Sequence, residues 1–281
     1  MTRARRDAAA PTGEDQLALD QQDITAEMPF LDHLEELRWR ILKSLLAIAI
    51  AFAFTFWLCT ASGLDIIGIA VKPIQPYLAP GQKLVYTNLI DPFTMLLQAA
   101  GVLAIVIAFP AVGYQIWAFL APALSKKERK ALIPVLIAAA MLFLAGLAMS
   151  VFVFVPTTMG LMQKLPHDSI TSMLTVSEYF GFLFAVSLAF GVMFELPIVI
   201  LALTAIGLVT PQFLSKYRRH AIVATLVICE IVTPGDFIIS TLMLWIPVYG
   251  LYEVSIVVSR FVYRSRMKRE RAAELAGGFT G

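Results

Sequence analysis

The feature that most restricts the fold of this chain is a set of apolar segments that are too long for the core of a soluble domain. Residues 132–155 form one such segment, which contains no charged side chain. Hydrophobic residues make up 59% of the chain and the mean hydropathy is +0.78, which exceeds what a soluble domain can bury. The chain is therefore expected to use the lipid bilayer as its solvent.

The apolar segments predict helices rather than the strands of a barrel. Inside a bilayer every backbone polar group must be hydrogen-bonded within the protein, which leaves only helices and closed barrels. Barrel strands alternate apolar and polar residues over about ten positions, whereas residues 47–58 and 132–155 are apolar on every side. We predict an all-α membrane protein with six transmembrane helices, at residues 40–60, 92–120, 128–156, 178–206, 219–233 and 237–259.

The last two predicted spans form a hairpin of short helices. About 15 residues of the fifth span reach only about 22 Å, which is less than the apolar thickness of a bilayer. The sequence Thr233-Pro234-Gly235-Asp236 follows, and it is typical of a tight turn. A short span requires local thinning of the bilayer or shelter behind other helices.

The basic residues are distributed unequally between the two sides of the predicted membrane. Of the 22 lysines and arginines, 19 lie in the N-terminal segment, the second and fourth loops and the C-terminal tail. The other side has only Lys72, Lys83 and Lys164. Since basic loops stay in the cytoplasm, both termini are expected there, in a multi-pass protein of the cell (inner) membrane.

The segments outside the spans differ in character. Residues 1–27 are predicted to be a disordered cytoplasmic tail, residues 28–262 the six-span core, and residues 263–281 a basic cytoplasmic tail. The outer loops, 61–91 and 157–177, are longer than ordinary connectors. The first contains Pro73 and is mostly apolar. Both loops are therefore expected to fold over the periplasmic face as caps.

A first motif precedes the first span at residues 29–40. Phe30, Leu34, Leu37 and Ile41 recur at helical spacing and form one apolar stripe. This pattern predicts an amphipathic helix that lies along the cytoplasmic surface. A membrane anchor with charged flanks would produce the same periodicity.

A second motif covers residues 114–129, at the end of the second span and in the loop after it. Trp117 and Phe119 occupy positions typical of an interfacial aromatic belt. Ser125 followed by Glu128 fits a capping box for the third span, which would explain Glu128 without any binding role.

A third motif places an acid inside the membrane. Glu195 lies about 17 residues into the predicted fourth span, where insertion of a charge costs about 2.5–3.5 kcal/mol. Pro197 removes a helical hydrogen bond, which predicts a kink. We expect Glu195 to have a functional role, although a purely structural polar contact is the alternative. A fourth motif, at residues 233–236, ends in Asp236, which can cap the sixth span.

Taken together, these motifs resemble TatC, the polytopic core subunit of the twin-arginine protein translocase. The resemblance extends over most of the chain, from about residue 29 to 262, and each motif alone is weak. The matching elements are His33-Leu34-x-Glu36-Leu37-Arg38-x-Arg40, Asp91-Pro92-Phe93, Tyr114-Gln115-x-Trp117-Ala118-Phe119-x-Ala121-Pro122-Ala123-Leu124, Glu128-Arg129, Phe190-Gly191-Val192-x-Phe194-Glu195-x-Pro197 and Thr233-Pro234-x-Asp236.

The resemblance implies a receptor for the signal peptides of folded export substrates. Glu36 and Glu128 would receive the paired arginines, and a carboxylate suits a bidentate guanidinium. The neighbouring patch would be completed by Phe119, His33, Leu37 and Arg38.

The resemblance also assigns the remaining positions and partners. Glu195 would contact single-span subunits of the TatA/TatB type, and Pro73, Asp91, Pro92 and Asp236 would be structural turn and cap positions. Asp91 stands where the family typically has glutamate. The protein would self-associate in a receptor complex, and the proton-motive force would drive export. No enzymatic activity, cofactor, metal or nucleic acid is expected.

Two other classes of protein are alternatives. A secondary small-solute or ion transporter could use Glu195 and Glu230 as substrate-coupled carboxylates, but no internal repeat of the kind common in transporters is present. An intramembrane enzyme is disfavoured because His33, His167 and His220 all lie near or outside the predicted membrane surface.

Overall fold

The protein is an all-α structure in a computed structural model that describes residues 13–61, 66–78, 84–123, 132–163, 174–232 and 238–277, with side chains considered between Leu34 and Lys268. Short 3₁₀ turns lie at Lys72–Tyr77 and Ala121–Ala123, and a π-helical turn lies at Ser150–Phe154. The helices are α1 (Gly13–Ala61), α2 (Ile66–Val71), α3 (Asp91–Leu120), α4 (Leu132–Met149), α5 (Val155–Gln163), α6 (Val176–Phe194), α7 (Leu196–Ile206), α8 (Pro211–Lys216), α9 (Arg218–Val232) and α10 (Ile238–Gly277).

Five stretches of the described chain are long and apolar enough to cross a bilayer. Their bounds are Leu34–Ala61, Asp91–Leu120, Leu132–Leu161, Val176–Ile206 and Ile238–Lys268. The remaining predicted span is α9, which has 15 residues and falls short of a full crossing, as its sequence predicts. The all-α, multi-span prediction is therefore confirmed.

Two helices extend further than predicted. The first helix begins at Gly13, so the described part of the predicted disordered tail is helical and the lead-in at 29–40 is continuous with the first span. Residues 14–28 contain no glycine or proline and many good helix formers. The sixth span was predicted to be short, and this is wrong: α10 has 40 residues, because the apolar span continues into a charged helical segment.

The first and second outer loops fold together into one cap. The hydroxyl of Tyr179, at the start of α6, donates to the carbonyl of Ala70 over 2.7 Å. Val85 and Thr175 form a parallel bridge, in which the N–H of Val176 donates to the carbonyl of Val85 over 3.0 Å. Ile74, in the 3₁₀ turn, is fully buried in the main core. The prediction that these loops are folded is confirmed for their described parts.

Small and hydroxylated residues join the long helices. Thr55 of α1 donates to the carbonyl of Ala100 in α3 over 2.9 Å, beside a cluster of buried alanines. The hydroxyls of Ser150 and Ser187 lie 3.1 Å apart between the π-helical turn and α6. Those of Thr204 and Ser259 lie 2.8 Å apart between α7 and α10. These contacts satisfy the hydroxyl groups away from lipid, where unpaired polar atoms are costly.

Three polar contacts hold the short helix α9 against α10. Trp245 Nε1 donates to Thr225 Oγ1 over 3.0 Å, and Thr241 Oγ1 donates to Glu230 Oε2 over 2.9 Å. The third is the ion pair Arg218–Glu253, at 2.7 Å. The predicted hairpin is therefore present, and its short arm is supported by the longer one.

The chain alternates between two ends of the bundle. The cap end contains the described outer-loop residues 66–78, 84–90 and 174–175, with the starts of α3 and α6 beside them. At the opposite end, Arg260 Nη2 donates to Ser215 Oγ over 3.4 Å and Arg266 Nη1 donates to the carbonyl of Ala205 over 3.4 Å. This basic end brings together segments that are distant in sequence and rich in lysine and arginine.

Candidate functional site

Glu36, on α1, has a half-exposed carboxylate that lies near the basic end of the bundle. Its Oε1 accepts hydrogen bonds from Arg40 one turn further along the helix, from Nε at 3.0 Å and from Nη2. The exposed fraction of the side chain is 35%. The carboxylate is therefore held in one orientation while remaining accessible to a ligand that approaches from outside.

The packing of α1 against α3 brings Phe119 to the same end as Glu36. The two helices run antiparallel, and the hydrogen bond from Thr55 to the carbonyl of Ala100 sets their register. Glu36 lies nineteen residues before Thr55, and Phe119 lies nineteen residues after Ala100. Because both helices rise 1.5 Å per residue, Glu36 and Phe119 lie at similar distances from this hydrogen bond.

The other described residues of the predicted signal-peptide patch lie beside Glu36. Leu37 is half-buried and Arg38 is exposed, as is Trp39, one of the most exposed aromatic residues of this helix. The side chain of His33 and all of Glu128 and Asp236 lie outside the described residues. The structure therefore places four of the six predicted residues at the same end of the bundle: Glu36, Leu37, Arg38 and Phe119.

Asp91 closes the turn that precedes α3. Its Oδ2 accepts hydrogen bonds from the backbone N–H groups of Thr87 and Asn88, both at 2.9 Å, and from the hydroxyl of Thr87 at 3.2 Å. The side chain is 2% exposed and lies at the helix N-terminus, where a negative charge is stabilising. Pro92 follows at the surface, in the first turn of α3, where its missing N–H is no loss.

Pro73 lies in the cap. It occupies the first turn of the 3₁₀ segment Lys72–Tyr77 and is half-buried beside the fully buried Ile74. A proline tolerates this position because its fixed φ suits a helical turn.

Glu195 lies where the fourth span breaks. The span consists of α6 and α7, with Glu195 between them, and its N–H donates to the carbonyl of Val192 over 3.1 Å. This hydrogen bond spans one residue fewer than the hydrogen bonds of an α-helix, and Pro197 has no backbone N–H that could continue the helical hydrogen bonds. The helix is therefore interrupted at the place where Pro197 predicts a kink.

The Glu195 side chain faces a cavity of about 250 Å³ between α3, α4 and α7. Phe109, Trp117 and Leu136 are among its apolar walls. Glu195 Oε1 is buried and has no hydrogen-bond partner among the described residues. A carboxyl group in such surroundings is costly unless a partner supplies a donor. The cavity is therefore suited to a polar group carried by another chain or by a ligand.

Glu230 does not share this cavity. It lies on α9 near the cap end, is largely exposed and accepts a hydrogen bond from Thr241. Among the described lining residues of the cavity, Glu195 is the one carboxylate. The arrangement does not favour a transporter in which Glu195 and Glu230 act together.

A polar cluster at the basic end was not predicted from the sequence. Glu253 of α10 accepts from Arg218 Nη2 at 2.7 Å and from the hydroxyl of Tyr249 at 2.8 Å. Tyr249 and Glu253 are four residues apart on a helix, a spacing that indicates a shared face. The partner on α9 could not be inferred from that spacing. The described residues contain no group of three or more metal-ligating side chains.

Known proteins resemble this chain over most of its length. A family model described as Sec-independent protein translocase protein (TatC) matches residues 32–247. The chain is 35% identical over 252 residues to the Sec-independent protein translocase protein TatCy of Bacillus subtilis, covering 88% of this chain and 94% of the relative. For TatC of Escherichia coli the identity is 31% over 242 residues, covering 86% and 92%.

A solved structure extends this similarity to the tertiary fold. A crystal structure of the twin-arginine translocase receptor TatC matches with a TM-score of 0.69 at 30% identity. The match covers 82% of this chain and 99% of that chain. Identity at this level over nearly a whole chain indicates both common fold and common family.

Proposed function

The chain belongs to the TatC family, a core subunit of the Sec-independent protein translocase, and we propose that its basic end binds the twin-arginine signal peptides of folded proteins. As a multi-pass component of a membrane translocase it works with other subunits of that system and is not an enzyme. The observation that carries the binding proposal is the half-exposed carboxylate of Glu36 at the same end of the bundle as Phe119.

The chemistry of Glu36 supports recognition of arginine rather than lysine. A carboxylate accepts two parallel hydrogen bonds from a planar guanidinium, a geometry that an ammonium group cannot reproduce. Glu128 is the second proposed acid, so that each arginine of the signal would have its own carboxylate. Phe119 would pack against the bound motif, with His33, Leu37 and Arg38 completing the patch.

The existing pair with Arg40 does not oppose this role. Arg40 and Glu36 are one helical turn apart and partly exposed, and such pairs contribute only about 0.3–0.5 kcal/mol. An incoming guanidinium can share or replace Arg40 at little cost. Before binding, Arg40 keeps the carboxylate oriented, which lowers the entropy lost when a ligand binds.

The cavity at Glu195 supports a second contact, with single-span subunits of the TatA/TatB type. A transmembrane helix that carries a polar side chain would supply the hydrogen-bond donor that Glu195 Oε1 lacks among the described residues. We further propose that the protein lies in the cell (inner) membrane with both termini in the cytoplasm. It would self-associate in a receptor complex, and the proton-motive force would drive export.

Binding of a twin-arginine signal peptide to the full chain in detergent tests the receptor role. Fluorescence anisotropy would measure the affinity of a labelled peptide for the unmodified protein, for Glu36→Ala and for Glu128→Ala. The expected result is a loss of about tenfold or more for each variant, since a charge-assisted pair contributes about 1.5–3 kcal/mol. A peptide with paired lysines should bind more weakly to the unmodified protein.

Glu35→Ala is the matched control. It removes the same charge at a neighbouring and exposed position of α1, which points about 100° away around the helix. Its affinity for the peptide should stay within about twofold of the unmodified protein, a difference of about 0.4 kcal/mol. Equal affinity in all variants, or equal losses for Glu35→Ala and Glu36→Ala, would contradict the proposed site.

A further inference from the structure

A groove at the basic end lies between α8 and the charged part of α10. Its volume is about 570 Å³. The wall from α8 includes the polar side chains of Gln212 and Ser215, and the wall from α10 includes Arg260, Arg264 and Lys268. The three cations repeat every four residues, so they lie on one face of α10 about 6 Å apart along its axis.

The described lining of the groove carries positive charge without a matching carboxylate. Arg260 donates to the hydroxyl of Ser215 over 3.4 Å, a neutral acceptor. Arg264 and Lys268 are exposed, and neither forms a described ion pair. The carboxylate of Glu253 is engaged by Arg218 and Tyr249 and is not one of the groove's described lining residues. Three cations with no carboxylate among the described lining residues favour an anionic ligand.

The neighbouring surface indicates that this ligand is attached to the membrane. On α10, Val257 lies about one turn before Arg260 and Phe261 directly follows Arg260; these two side chains are 48% and 66% exposed. Large apolar side chains at the end of a membrane-spanning segment face lipid. Tyr263 lies in the groove itself, and tyrosine is enriched at the depth of lipid headgroups. The apolar surface therefore continues directly into the basic groove.

We propose that this groove binds the phosphate of an anionic phospholipid. The phosphodiester would lie between Arg264, Lys268 and the hydroxyl of Ser215, while the acyl chains follow the apolar face of α10. Anionic headgroups are the partners expected of basic pockets at the membrane surface. In the orientation proposed above the lipid would belong to the cytoplasmic leaflet. The groove is separate from Glu36, so peptide binding and lipid binding can fail independently.

Native mass spectrometry of the full chain, released from neutral detergent, would test the proposal. The probes are phosphatidylglycerol and, as a lipid of no net charge, phosphatidylcholine. The unmodified protein should retain one phosphatidylglycerol molecule in preference to phosphatidylcholine. The double variant Arg264→Gln/Lys268→Gln should bind phosphatidylglycerol about 10- to 30-fold more weakly, because each removed cation near the headgroup lowers affinity severalfold. Each single variant should show part of that loss.

The matched control is Lys216→Gln/Arg219→Gln. It removes the same charge from exposed positions at the same end of the molecule, and neither residue is a described lining residue of the groove. This control should bind phosphatidylglycerol as the unmodified protein does. Phosphatidylcholine binding should be the same in all variants, which verifies that they fold.

Three results would overturn the proposal. Equal losses in the two double variants would mean that diffuse positive charge, and not the groove, attracts the lipid. Unchanged phosphatidylglycerol binding in Arg264→Gln/Lys268→Gln would remove the site. Displacement of the lipid by inorganic phosphate at comparable concentration would mean that the groove takes a soluble anion.

Discussion

Gly146 is the position where a single added methyl group should disturb the bundle most directly. Gly146 lies on α4 against α6, and a Cβ atom there would approach the backbone oxygen of Phe190 to 2.6 Å. It would also approach the carbonyl carbon of Phe190 to 3.0 Å. Real Cβ atoms do not come this close, and a backbone carbonyl cannot rotate away as a side chain can. The substitution Gly146→Ala would therefore force α4 and α6 apart.

The size of the effect follows from two opposing contributions. Overpacking of a well-packed interior typically costs about 1–3 kcal/mol, and the rigid backbone contact favours the upper end of that range. Alanine in place of glycine within a helix contributes up to about 1 kcal/mol of stabilisation. We expect Gly146→Ala to lower the free energy of unfolding by about 2 kcal/mol.

Gly250→Ala provides the matched control. A Cβ atom at Gly250, on α10, would meet no heavy atom within 4 Å, so only the helix-propensity gain of up to about 1 kcal/mol remains. Thermal unfolding in detergent should therefore show a lower midpoint for Gly146→Ala and an equal or higher midpoint for Gly250→Ala. A midpoint for Gly146→Ala that matches or exceeds that of Gly250→Ala would refute the reasoning.

Two further substitutions test the turn before α3 and the cavity in the fourth span. Asp91→Ala removes the carboxylate that accepts hydrogen bonds from the N–H groups of Thr87 and Asn88. The substitution should lower the free energy of unfolding by about 1 kcal/mol. An unchanged midpoint of thermal unfolding would contradict this expectation. Glu195→Leu removes a buried carboxylate oxygen that has no described hydrogen-bond partner. The substitution should therefore raise the free energy of unfolding by about 1–3 kcal/mol. It should also lower the export of a folded reporter protein in cells. A lower midpoint, or undiminished export, would contradict the assigned role of Glu195.

The helices themselves were largely predictable because their determinants are local. Apolar runs without charges predicted the spans, and the limited length of residues 219–233 predicted the short α9. The break at Glu195 followed from Pro197, which cannot donate a backbone hydrogen bond. The structure differs from the predicted bounds at helix ends, where α1 and α10 continue through charged residues that have good helix propensity.

The candidate site was predictable in its residue types and in the side of the membrane on which they lie. The motif containing Glu36 and the one containing Phe119 could each be found in the sequence. Their alignment along the two helix axes depends on the packing of α1 against α3, whose register a hydrogen bond from Thr55 to the carbonyl of Ala100 sets. No local pattern encodes that register, because it is set by how small residues let two helices approach.

The sequence by itself determined that this chain is a membrane protein, approximately where it crosses the membrane and on which side its basic residues lie. These properties follow from the free-energy cost of placing charges and unpaired backbone groups in hydrocarbon. Each segment avoids or incurs that cost through its own composition, independently of the other segments. Only the tertiary structure decided which segments meet. It joined the two outer loops into one cap, left the Glu195 oxygen facing a cavity and brought Ser215 beside Arg260. Contacts between distant segments depend on the packing of whole helices, and local sequence patterns do not specify that packing.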